Sequence, residues 1–196
     1  GGTLGSKSFS YTPTTGVWYH VALSRDGNNL RCFVNGTQAG ATADMTGVTI
    51  FDSTYDFQAG IQESLDNPFL GYVDELRVSD NARYTTAFTA PTEAFTTDAN
   101  TKYLLHFSGM PGDTITDSSG TGKTTNKGGN ADISKITYKF VAGWTVDFWI
   151  YPIAFGGLDY YICTQRTDAS NYMDFFYDGS LSALRFLVLS GGVTQV

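Results

Sequence analysis

Residues 17–36 constrain the fold more than any other stretch. Val17-Trp18-Tyr19-His20-Val21-Ala22-Leu23-Ser24 is a run of β-branched and aromatic residues, and Arg25-Asp26-Gly27-Asn28-Asn29 is turn chemistry. Leu30-Arg31-Cys32-Phe33-Val34 resumes the strand before Asn35-Gly36, the pair favoured in two-residue hairpins, reverses it again. Two reversals this close together are accommodated by antiparallel pairing and by little else. Further strand-like runs follow at 57–61, 71–79, 102–107, 144–151, 160–164, 172–177 and 184–190. Short strands at spacings of roughly 8–12 residues predict an all-β antiparallel sandwich or jelly roll.

Composition supports that reading. Glutamate occurs only at Glu63, Glu75 and Glu93, charged residues are 16% and aromatics 15%, a balance that favours strands and turns over helices. A short helix at residues 80–84 is the most that is expected. The net charge of −7 excludes the basic face that nucleic acids and anionic lipid surfaces require, leaving neutral glycans and other proteins as the expected partners. No apolar run approaches a membrane span, so no membrane insertion is expected, and Gly1-Gly2-Thr3-Leu4-Gly5 lacks the pattern of a secretion signal. Residues 109–130 read as a long polar surface loop, and residues 88–100, interrupted by Pro91, as a link.

Two stretches carry a family resemblance. The hairpin from Trp18-Tyr19-His20-Val21-Ala22 to Val34-Asn35-Gly36 resembles the Trp-x-His-Val-Ala hairpin of laminin G-like, concanavalin A-type jelly rolls. Gly71-Tyr72-Val73-Asp74-Glu75-Leu76-Arg77-Val78 is similar to the last core strand of that family, with Ala82-Arg83-Tyr84 and Phe88-Thr89-Ala90-Pro91 as its exit. The opening motifs come later in the chain. Leu104-Leu105-His106-Phe107 with Thr116-Asp117-Ser118-Ser119-Gly120 resembles the first strand and loop, and Trp144-Thr145-Val146-Asp147-Phe148-Trp149-Ile150-Tyr151-Pro152 the next strand.

The order is therefore permuted. Residues 1–95 resemble the back half of a laminin G-like sandwich, residues 96–101 a linker, and residues 102–196 the front half. Together they make one domain equivalent, either one period of a tandem array or a circularly permuted domain. A half sandwich exposes an apolar face and unpaired edges, so the halves must close on each other or on neighbouring repeats. The resemblance extends to tandem modules of bacteriophage tail or fibre proteins. It implies a structural or adhesive repeat of a virion fibre, appendage or extracellular filament, located outside the cell or on the virion surface, self-associating and able to touch host glycans. A monomeric carbohydrate-binding module is the alternative, and a glycan-cleaving enzyme the third reading.

The candidate chemistry is sparse, and no enzyme is expected. Gly120-Thr121-Gly122-Lys123-Thr124 imitates the end of a phosphate loop, but Asp117 stands where the first glycine is needed. His20 and His106 lie beside large apolar residues and read as structural groups. Sugar hydrolases of similar architecture carry spaced carboxylates on one strand, whereas Asp74 and Glu75 are adjacent and would point to opposite faces. Alternation puts Tyr72, Asp74, Leu76 and Val78 on one face, so Asp74 needs a partner: loop backbone, an arginine such as Arg83, or the structural calcium the resemblance implies. Asp113 and Asp117 would be the other calcium donors, although Ser108 stands where relatives often carry Asp; no other cofactor is expected.

Cys32 and Cys163 each sit in an apolar run and read as buried thiols or as one disulfide. Asn35-Gly36-Thr37 fits both a tight turn and a glycosylation site. Tyr55, Tyr84, Tyr160 and Tyr172 are candidate glycan-stacking residues near loop tips, with subunit or sheet-face packing as the competing role.

Overall fold

The computed structural model describes residues 3–50, 57–60, 68–107, 115–121, 140, 143–155, 158–168 and 171–190. Among these the chain forms eleven strands and no helix: β1 (Thr3–Ser10), β2 (Tyr19–Asp26), β3 (Asn29–Val34), β4 (Thr37–Asp44), β5 (Phe57–Ala59), β6 (Gly71–Ser79), β7 (Thr101–Leu105), β8 (Gly143–Pro152), β9 (Asp159–Asp168), β10 (Asn171–Asp178) and β11 (Ala183–Ser190). Residues 80–84 are irregular rather than helical. The strands make two antiparallel sheets, one ordered β1-β11-β10-β9-β5 and the other β4-β3-β2-β8-β6-β7. This is an all-β sandwich of the laminin G-like, concanavalin A-like jelly-roll type.

Both halves of the sequence contribute to both sheets. β8 inserts between β2 and β6, with Val21 opposite Phe148 and Val78 opposite Val146, while β1 pairs along β11 with Thr3 opposite Ser190. The halves thus close on each other within one chain. Alternate side chains from the facing sheets fill the space between them. Trp144 meets Phe186 at 5.7 Å and Phe148 meets Phe175 at 6.1 Å across the interior.

The hairpins form as their turn residues demand. Asn35 and Gly36 have φ of 49° and 78° and join Val34 to Thr37, the geometry of a two-residue turn with both central residues left-handed. Asn35 Oδ1 also accepts from the His20 amide at 2.9 Å, so the turn role of Asn35-Gly36 is realised. β1 and β4, for which the sequence raises no strand expectation, are edge strands of sequence TLGSKSFS and TQAGATAD. Their polar, small residues suit an edge and hide the alternation that marks a buried strand.

Cys32 and Cys163 are free and buried, on β3 of one sheet and β9 of the other. The disulfide reading therefore gives way to two separate core thiols. Burial pushes both thiols up, holding them in the neutral, unreactive form.

Residues 88–100 are not a free link. They and residues 80–87 form a strap across the outer face of the six-stranded sheet. Phe88 donates its amide to Gly36 O at 2.9 Å, Thr145 Oγ1 accepts from the Arg83 amide at 2.8 Å, and Phe95 is only 4% exposed. A side-chain carbon on Gly36 would lie 1.9 Å from Phe88 O, so glycine is required for the approach as well as for the turn.

Candidate functional site

The strap covers a polar sheet face. His20, Ser24, Thr145, Asp147 and Ser79 point away from the sandwich core yet are at most 1% exposed. At the centre, Asp147 accepts from Arg77 Nε at 3.1 Å, Arg77 Nη2 at 2.6 Å and Tyr84 OH at 2.9 Å. Burial alone would raise the Asp147 carboxyl; the bonds and charge of Arg77, with His20 alongside, outweigh it and hold the group below the usual range. His20 Nε2 stands 3.6 Å from Asp147, too far for a hydrogen bond, and the ring is packed edge-on against Tyr84, Phe88, Phe95 and Trp149. His20 is thus fully buried as a packing group among these rings.

Beside this cluster β6 carries a bulge. Asp74 pairs with Trp149 and Arg77 with Asp147, so two residues of β6 stand against one of β8, and Glu75 takes a φ of 54°. The bulge shifts the alternation by one. Tyr72 and Asp74 share the outer face with Arg77, while Leu76 and Val78 face the core with Val73. Asp74 therefore does not share a face with Leu76 and Val78 as alternation implied. Nor does it pair with Arg83, whose guanidinium forks onto Asp98 at 2.8 and 2.7 Å. Asp74 Oδ1 accepts the Glu75 amide at 2.9 Å. Burial raises its carboxyl and the Glu75 charge adds to this, partly offset by that amide bond and by His106.

Glu75 acts as a clamp. Its Oε2 accepts the Phe95 amide at 2.6 Å, fastening the strap, and its Oε1 lies 2.7 Å from His106 Nδ1. Between the strap and the start of β6 lies a cleft of about 410 Å³ lined by Trp18, Trp149, Asp74, Glu75, Glu93 and Pro91 among others. Opposite expectation, Asp74 and Glu75 border the same cleft, because the bulge breaks the rule that neighbours on a strand face apart.

An aromatic ledge extends from the cleft. The Trp18 ring lies 5.4 Å from Tyr151, and Tyr151 lies 5.9 Å from Tyr72. Trp18 is 42% and Tyr72 60% exposed, and exposed Val17, Leu70 and Ile153 stand at the same end of the sheet, where β2 and β6 begin and β8 ends. Contiguous exposed apolar side chains of this size mark a contact surface.

The tyrosines proposed from sequence are not brought together. Tyr84 belongs to the strap and turns inward onto Asp147, Tyr160 is in the core at 6% exposure, and Tyr172 lies on the outer face of the other sheet with Arg166 over its ring at 4.4 Å. Tyr55 lies outside the described residues, as does Asp113. Asp117 ties its loop to β7, accepting from the Leu104 amide of that strand, from the Ser119 amide and from the Ser119 and Thr121 hydroxyls. Among the described residues no three His, Cys, Asp or Glu side chains converge as metal ligands. Of the calcium set expected from sequence, Asp74 and Asp117 are engaged by backbone amides and Asp113 lies outside the described residues. Glu93 carries no functional signal in the sequence, since nothing local ties it to Trp18.

Residues 2–87 match the family model described as the concanavalin A-like lectin/glucanases superfamily. That segment is laminin G-like. No curated protein and no solved structure matches the chain. The matched segment supplies Trp18, Asp74 and Glu75, and the laminin G-like jelly roll is completed by β7 to β11, among which β8 brings Trp149.

Proposed function

We propose that the chain is a glycan-binding β-sandwich, an adhesive module whose site is the cleft between Trp18, Trp149 and the strap. The observation that carries this reading is the ledge of exposed Trp18 and Tyr72, bridged by half-buried Tyr151, running out of a cleft bordered by carboxylates. Sugar rings offer apolar C–H faces that stack on such rings, while their hydroxyls donate to carboxylate oxygens. The matched superfamily, named for lectins and glucanases, is consistent with a saccharide ligand.

Binding without cleavage is the favoured form. Hydrolysis needs two carboxyl groups free to act on either side of the bond. The adjacent pair Asp74 and Glu75 is unsuited to this, because both oxygens of Glu75 are already committed, to Phe95 N and His106 Nδ1; the remaining pair, Asp74 with Glu93, is what an assay for sugar release tests. The expected result is saturable binding of oligosaccharides with no release of reducing ends, and loss of binding in Trp18→Ala. Retention of full affinity in Trp18→Ala, or sugar release by the wild type, would overturn the assignment.

A second reading, a self-associating repeat of a virion fibre or extracellular filament, is favoured by one feature. β1 is an edge strand joined to its sheet through β11 alone, so a β1 donated by a second copy would make the same eight-residue ladder. Sedimentation over a range of concentrations tests it: a constant monomer mass removes self-association through that ladder.

A further inference from the structure

We infer that the cleft selects glycans bearing a protonated amino group over acetylated or anionic ones. The inference rests on the glycan-binding reading and names the ligand class of the same site. The charged groups lining the cleft are Asp74 and Glu75 from β6 and Glu93 from the strap, whereas β8 and the segment before β2 contribute Trp149 and Trp18. His106, just past β7, lies against Glu75 at 2.7 Å and is not part of the cleft lining. Arg77 lies under the strap and is neutralised by Asp147 at 2.6 Å. Among the described residues the lining of the cleft thus holds three carboxylates, of which Glu75 is already engaged, and no lysine or arginine.

Carboxylates alone would mark only a solvated surface. The two indoles make this a site, because a cation over an indole face is attracted by the ring as well as by the acids. An ammonium group on a sugar ring would meet both: the ring stacks on Trp18 or Trp149 and the amine reaches Asp74 or Glu93. An acetylated amine keeps the stacking and loses the charge. A sulfate or uronate meets like charge and is excluded.

The test is titration calorimetry of the full chain with three probes of equal length: a glucosamine oligomer with free amines, its N-acetylated counterpart, and a heparin fragment. The free-amine oligomer is expected to bind roughly tenfold tighter than the acetylated one, with the advantage shrinking as salt is added, and heparin not to bind. In Asp74→Asn/Glu93→Gln, confirmed folded by its thermal melt, the ratio of the two affinities is expected to fall towards unity. Trp18→Ala is expected to lose both sugars. Equal affinities in the wild type, an unchanged ratio in the double variant, or polylysine bound as tightly as the amino sugar would overturn the inference and leave glycan binding standing. Binding of none of the sugars would overturn both.

Discussion

Phe95→Ala measures whether residues 88–100 are part of the fold. Phe95 is 4% exposed, its ring lies 4.1 Å from the Arg77 guanidinium carbon and 5.8 Å from His20, and its amide is held by Glu75. Truncating a buried phenylalanine costs about 3–5 kcal/mol, combining lost transfer energy with the cavity left behind. The strap can settle part of the way into that space, which places the expectation near the lower end, about 3 kcal/mol. For a chain of this size that corresponds to a melting temperature lower by about 6–12 °C. The assay is urea unfolding followed by tryptophan emission, with Thr92→Ala on the exposed side of the same strap as reference, expected to change stability by less than about 0.5 kcal/mol. Because the strap also walls the cleft, Phe95→Ala is expected to weaken sugar binding as well. A loss below about 1 kcal/mol would refute the reasoning, for it would mean that the segment is a tether and the polar sheet face is stable without it.

Acid should destabilise the protein through three carboxylates: Asp98, held low by Arg83, and Asp147 and Asp178, in which burial is outweighed by Arg77 and by Ser180 with Arg185. Each binds protons less readily folded than unfolded, so its contribution is present above about pH 4 and is lost as pH falls through the depressed folded values; Asp74 and Asp159, whose carboxyls burial raises, oppose this just above that window. A thermal melt that is flat to about pH 5 and falls below about pH 4 is expected, and a rise below pH 4 would contradict it. The free thiols should titrate with a disulfide reagent only after denaturation, and reductant should leave the melt unmoved; labelling of the native protein would show that Cys32 or Cys163 is accessible. Glu75→Gly relieves left-handed backbone worth about 1–2 kcal/mol but removes the clamp on Phe95 and His106, so a net loss is expected, with Glu75→Gln milder. A more stable Glu75→Gly variant would show that the clamp contributes nothing.

The fold was legible where local chemistry and burial agree. Asn35-Gly36 specifies its turn with its own residues, and the runs that became β2, β3, β8 and β10 are dominated by side chains that end up buried. The strap was not legible. Thr, Ala and Pro around Phe95 look like a link because the face it covers is built from His20, Thr145 and Asp147, residues on other strands whose polarity gives no local sign of burial. The cleft was partly legible for the same reason. Trp18 and Asp74 stood out within motifs, whereas their meeting with Trp149 and Glu93 depends on β8 and the strap arriving from elsewhere in the chain.

The bulge in β6 did leave a trace in the sequence. Val73 lies at an odd position and Leu76 and Val78 at even ones, so no unbroken alternation can bury all three. Aligning the strand on Leu76 and Val78 would place Asp74 on the core face and turn Val73 out. Aligning it on Val73 would place Glu75 and Arg77 on the core face and expose Leu76 and Val78. An uncompensated buried charge costs several kcal/mol, whereas one residue in left-handed conformation costs about 1–2 kcal/mol. The shift at Glu75 is therefore the cheaper solution, and it buries Val73, Leu76 and Val78 together. Its consequence is functional as well as structural. The same inserted residue leaves Asp74 bordering the cleft, frees Glu75 to fasten the strap, and brings Arg77 opposite Asp147, so the cleft wall and the charge pair beneath it arise from one mismatch in hydrophobic phase.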